Sequence, residues 1–134
     1  MYDLRVKRLR FSRESDTWLR VLKTRTGITP NLLCRLGFCL SLEEPDVPQP
    51  EQYLEDSERE INRYTLLGEF DLLFTALLRQ RLKRDDLQPD EIDEHFRAHM
   101  NRGVMLLSRR VRSLSDLTKL LSVASSLSSV GQLK

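Results

Sequence analysis

The side chains best placed to do chemistry in this sequence are cations near its start. Arg5, Lys7, Arg8 and Arg10 punctuate the stretch D-L-R-V-K-R-L-R-F, Asp3 to Phe11. Leu4, Val6, Leu9 and Phe11 alternate with them, with one slip of phase at Lys7-Arg8, which predicts a half-buried and bulged strand. Its polar face is then almost wholly cationic and suits an anionic partner. A second anion-facing feature follows at Gly27-Ile28-Thr29-Pro30-Asn31. Thr29 is placed to cap a helix, and Pro30 takes the first helical position, where no amide donor is needed. The free amides of such an N-terminus bind phosphate, and Arg13, Lys23 and Arg25 can flank it. The candidate set for binding a polyanion, double-stranded DNA first among them, is therefore Arg5, Lys7, Arg8, Arg10, Arg13, Lys23, Arg25, Gly27, Thr29 and Asn31. Each phosphate contact adds about 0.9 to the salt slope of binding, so five or six contacts give strongly salt-sensitive affinity. The plainer alternative is a solvated basic face, neutralised by the acidic segment 43–60 of the same or another subunit.

Other chemistries find less support. His95 and His99 lie four apart in D-E-H-F-R-A-H, a spacing that can offer two imidazoles to a metal. The sequence lacks the H-E-x-x-H arrangement, and no third His or Cys ligand is suggestively placed, so one histidine on the core side of a helix and one at its edge are expected, and no metal. Cys34 and Cys39 sit among leucines and read as core residues; five apart on a helix, they point about 140° apart and do not form an intrahelical disulfide. There is no G-x-S-x-G, and five scattered glycines build no phosphate nest. A non-enzyme without a cofactor is expected.

The elements that must position the cations follow from periodicity. Ser12 caps a helix of about 14 residues with Trp18, Leu19, Val21 and Leu22 on its apolar stripe, ended by Gly27. Leu32, Leu33, Leu36, Gly37, Phe38, Cys39 and Leu40 make the next helix apolar on nearly every side, which asks for a partner surface such as a second subunit. Residues 43–58, with three prolines and many acids, read as a solvated loop. E-I-N-R-Y-T-L-L-G alternates and predicts a second strand ending at Gly68. A helix from Glu69 is expected to bury Phe70, Leu73, Phe74, Leu77, Leu78 and Leu82. Pro89 opens another, with Ile92, Phe96, His99, Met100, Val104 and Leu107 inward, and a short one starts near Ser115. The Ser-rich tail 123–134 is expected to fray. The fold class is thus mainly α with a minor β component. One domain spans 1–134: a ribbon-helix-helix-like strand-helix-helix unit at 1–42, the loop at 43–58, and a strand plus helices at 59–122.

The net charge of +2 hides segregated signs: residues 1–42 balance at +6, 43–71 at −8, 72–84 at +4, 85–99 at −5 and 100–134 at +5. Such blocks present polar faces to different partners or to each other. No run approaches the roughly 18 apolar residues of a membrane span. The charged start lacks the apolar stretch of a secretory signal, so a cytoplasmic protein is expected.

R-L-R-F-S at 8–12, T-R-T-G-I-T-P-N-L-L-C-R at 24–35, L-G-F-C-L-S-L at 36–42 and I-N-R-Y-T-L-L-G-E-F-D-L-L-F-T-A-L-L at 61–78 together resemble the DndE family of small DNA sulfur modification proteins. The resemblance runs over about residues 8–84, is most specific over 24–42, and is weak beyond. It implies a role in DNA phosphorothioation, in which sulfur replaces a non-bridging phosphate oxygen. It further implies a non-catalytic, homo-oligomeric accessory subunit that binds duplex or nicked DNA through surface cations. The chemistry would belong to partners: a cysteine desulfurase, a PAPS-reductase-like iron-sulfur protein and an SMC-like ATPase. Two other readings stay open: a ribbon-helix-helix transcriptional regulator that reads an operator, and an adaptor acting mainly through protein contacts.

Overall fold

The computed structural model describes residues 2–122, and the predicted frayed tail at 123–134 lies outside them. Strand β1 (Arg8–Arg10) is followed by α1 (Arg13–Thr26), α2 (Pro30–Glu43), β2 (Glu60–Asn62), α3 (Arg63–Leu67), α4 (Asp71–Arg84) and α5 (Ile92–Arg110). Residues 114–122 are helical as well. The mainly helical, single-domain fold with a minor β component is as the periodicity predicts.

Local chemistry explains the first elements. Ser12 caps α1, its side chain accepting from the Ser15 amide, and Gly27 ends it at φ 75°, where its amide reaches the Lys23 carbonyl. That left-handed backbone suits glycine because no Cβ meets the carbonyl. α2 then packs chiefly against α5. Its backbone comes so close that a Cβ on Gly37 would meet the Gly103 carbonyl carbon and oxygen at 2.6 Å, and a Cβ on Gly103 would clash with Gly37 in turn. Around this crossing lie Leu33, Cys34, Phe38, Met100, Val104 and Leu107, all fully buried. The surface that helix 30–42 requires is therefore supplied largely by the chain's own α5.

Four expectations are corrected. The strand predicted over Asp3–Phe11 pairs only at Arg8–Arg10, because the Arg5 and Val6 amides turn away to Asp93 Oδ1, at 2.9 and 3.2 Å. The strand predicted to run to Gly68 stops at Asn62, whose side chain accepts from the Tyr64 amide and starts α3; Leu66 and Leu67 are then both buried, as adjacent residues of a strand would not be. Residues Gly68–Phe70 form a 3-10 turn, so α4 begins at Asp71. That rotates its face: Phe74, Leu78 and Leu82 are buried, while Leu72, Leu73 and Phe70 are 86%, 53% and 42% exposed. Lastly, Cys39 is exposed and Cys34 alone is a core thiol.

The acidic loop is pinned by arginines. Arg97 bonds the Tyr53 and Pro50 carbonyls and Glu55. Arg102 reaches the Asp46 and Ser41 carbonyls, and Arg81 reaches those of Leu42, Pro45 and Asp46.

Candidate nucleic-acid interface

β1 and β2 pair antiparallel with Arg8 opposite Asn62, Leu9 opposite Ile61 and Arg10 opposite Glu60. The ladder extends through the Arg63 amide, which donates to the Lys7 carbonyl at 2.9 Å. A ribbon-helix-helix regulator pairs this strand between two subunits; here it is paired within one chain. Leu9 points into the core, while Lys7 and Arg8 are exposed.

The ten predicted residues do not form one cluster. Lys7 and Arg8 adjoin β2 and α3; neither forms an ion pair among the described residues. Lys23 and Arg25 lie in the last turn of α1 and are likewise unpaired, with the Arg25 guanidinium 5.9 Å above the Trp18 ring. Gly27, Thr29 and Asn31 follow directly. Thr29 makes no capping bond; its hydroxyl donates to Asn31 Oδ1 at 2.6 Å, so the first amides of α2 stay open. Asn31 Nδ2 donates to the Thr65 carbonyl of α3, which ties this end of α2 to the segment beside Lys7. The α1–α2 junction thus carries Lys23, Arg25, Gly27, Thr29 and Asn31, and α3 joins it to the strand that carries Lys7 and Arg8.

The others sit apart. Arg10 is engaged by Glu60 at 3.1 Å and by the Ser57 carbonyl at 3.0 Å. Arg13 opens α1, about 18 Å of helix axis from Arg25, and its amide is bound by Asp56. Arg5 lines a groove of about 460 Å³ between β1 and the start of α5, where Arg8, Arg10 and Arg97 face Glu55, Asp90, Asp93 and Glu94. The acidic 43–60 segment thus neutralises part of the basic face, at Arg10 and around Arg13, and leaves the region near α3 free.

Two residues of this region carried little sequence signal. Arg35 donates to the Leu66 and Thr65 carbonyls and stacks 5.8 Å from the Phe70 ring, locking α3 onto α2; it closes the same R-T-G-I-T-P-N-L-L-C-R block. Tyr64 lies in a segment whose alternation predicts a strand, so its ring has no signal of its own in the sequence. Arg63, beside it, is held by Asp71 in a two-bond fork of 2.8 and 2.7 Å, and this guanidinium keeps the Asp71 carboxyl below the usual range.

The histidines do not converge on one point as a pair. Glu91, Glu94 and His95 bring one potential ligand atom each within 4.8 Å of one another, whereas His99 turns inward. Arg102 donates to Ser41 Oγ at 2.8 Å, so the Ser41 hydroxyl proton goes to His99 Nδ1, also at 2.8 Å. Burial, aided by Arg102 and Arg81, pushes the His99 pKa down to about 2. Burial likewise lowers His95. A permanently neutral imidazole that accepts a hydrogen bond is a structural part. No helix of the described residues is long and apolar enough to cross a membrane.

Comparison with known proteins agrees with the residue blocks. The family model of the DNA sulphur modification protein DndE matches residues 8–115, further than the blocks themselves reach. Among solved structures, DndE from Escherichia coli B7A, involved in DNA phosphorothioation modification, is 28% identical with a TM-score of 0.66, covering 78% of this chain and 99% of that one. A double glycine-to-lysine mutant of DndE involved in DNA phosphorothioation is 27% identical with a TM-score of 0.62, at the same coverage. Curated protein sequences offer no match.

Proposed function

The chain belongs to the DndE family of DNA sulphur modification proteins, and from that premise we propose that it is a non-catalytic, DNA-binding accessory subunit of a phosphorothioation system. The observation that carries this reading is that Lys7, Arg8, Lys23 and Arg25 form no ion pair among the described residues, the last two at the end of α1 just before the open amides of α2. Phosphates would be held by these charges and amides, with little use of base edges and hence little sequence preference. Intact and nicked duplex both fit such a surface. The sulfur chemistry would fall to the iron-sulfur and ATPase partners that the family resemblance implies. A homo-oligomer is supported by the exposed apolar side chains of Phe70, Leu72 and Leu73, near neighbours in sequence that a second copy would cover.

The test is duplex binding by the full chain, measured by fluorescence anisotropy. Lys7→Glu with Arg8→Glu is expected to abolish binding, whereas Arg10→Glu is expected to weaken it only mildly, since Arg10 is already spent on Glu60. Unchanged affinity in the double variant, with folding intact by circular dichroism, overturns the reading. The operator-reading alternative requires that random-sequence DNA compete poorly; equal competition excludes it.

A further inference from the structure

Tyr64 carries the most exposed aromatic ring among the described residues, 82% open to solvent, on the second residue of α3. Its backbone is fixed at both faces: Asn62 Oδ1 accepts from its amide at 2.8 Å, and its carbonyl receives the Gly68 amide. The ring borders a shallow groove of about 440 Å³ shared with Val6, Lys7, Asn62, Arg63 and Asp71. Charge in that groove is one-sided. Asp71 is its one carboxylate, and the fork from Arg63 already neutralises it. Lys7 is left over, while Arg8, opposite Asn62 in the strand register, lines the separate groove beside α5.

An open planar ring beside an unspent ammonium is the arrangement that takes a nucleobase on the ring and its phosphate on the cation. Bases within a duplex have both faces covered by their neighbours; an unpaired base has a face free. We propose that Tyr64 and Lys7 form a stacking platform for an unpaired base of single-stranded DNA. This deepens the DNA-binding reading and rests on it.

The experiment measures binding of the full chain to a short single-stranded oligonucleotide and to a duplex of the same length, with 2-aminopurine fluorescence as a stacking readout. Tyr64→Ala is expected to lose about tenfold in affinity for the single strand and to change duplex affinity less than about twofold. Tyr64→Phe, which keeps the ring, is expected to bind as the wild type, and Tyr64→Leu to behave like the alanine variant. 2-Aminopurine is expected to be quenched by wild type and not by Tyr64→Ala. If Tyr64→Ala and Tyr64→Leu bind the single strand as well as wild type does, while Lys7→Glu with Arg8→Glu abolishes duplex binding, the platform is wrong and the DNA-binding reading survives. If Tyr64→Leu retains full binding while Tyr64→Ala loses it, the ring is serving as apolar bulk and the platform is equally overturned. If wild type binds neither DNA, both fail together.

Discussion

Replacing Gly103 by alanine tests the contact on which the placement of the basic region depends. The new Cβ would sit against the carbonyl carbon and oxygen of Gly37, and 2.7 Å from the Phe38 amide nitrogen. Carbon atoms pack at about 3.5–4.0 Å, and both neighbours are helix backbone, which cannot rotate away as a side chain does. α2 and α5 must therefore separate by roughly 1 Å along the crossing, which loosens Leu33, Phe38, Met100 and Val104 together. Overpacking of this kind costs about 3 kcal/mol. Alanine's better helix propensity offsets about 1 kcal/mol of that, leaving a net loss of about 2 kcal/mol. In a domain of this size the loss lowers Tm by roughly 6–10 °C. Urea denaturation followed by circular dichroism, with a thermal scan beside it, measures both quantities. Gly37→Ala should do likewise, and the double variant should cost less than the two singles added, because one separation accommodates both methyls. The proposed DNA-binding region would shift too, since α2 carries Thr29 and Asn31, and α5 holds the N-terminal segment through Asp93. A Gly103→Ala protein as stable as wild type would refute the close crossing and the reason given for glycine at both positions.

Three further outcomes are expected. Stability should fall as pH drops below about 6.5, because unfolded His99 takes a proton that the folded form, at about 2, refuses; the loss is roughly 2 kcal/mol by pH 5, and His99→Gln should flatten it, leaving only the smaller slope that His95 contributes in the same direction. A thiol reagent at neutral pH should label Cys39 alone, and slowly, since partial burial and Glu43 raise its thiol; Cys34, fully buried and pushed up to about 12, should react only in denaturant, and two rapidly labelled native thiols would contradict the core. In duplex binding across a salt series, Lys7→Ala with Arg8→Ala should lower the log–log slope by about 1.8, two phosphate contacts' worth, while Arg10→Ala should leave it nearly unchanged; equal effects would place all three on phosphate.

The helices with strong local signals were legible from the chain alone. Ser12 and Gly27 bound α1, Pro30 opens α2 and Pro89 precedes α5, because caps and proline constraints act within a few residues. The concentration of cations in 1–42 and the family blocks over 8–84 were equally plain in one dimension. What tertiary structure decided is everything that depends on who stands opposite. Periodicity cannot see that Asp93 captures the Arg5 and Val6 amides, so it overextended β1. Nor can it weigh the Asn62 cap against an alternating pattern, so it ran β2 through Tyr64 and hid that ring. The exposed face of α4 follows from a three-residue turn that rotated its register. The division of the cations has the same origin: Arg10 meets Glu60 across the ladder, whereas Lys7 and Arg8 form no ion pair among the described residues. Charge is a property of the sequence, but whether a charge is free to meet phosphate depends on its neighbours in space, and only the fold assigns those.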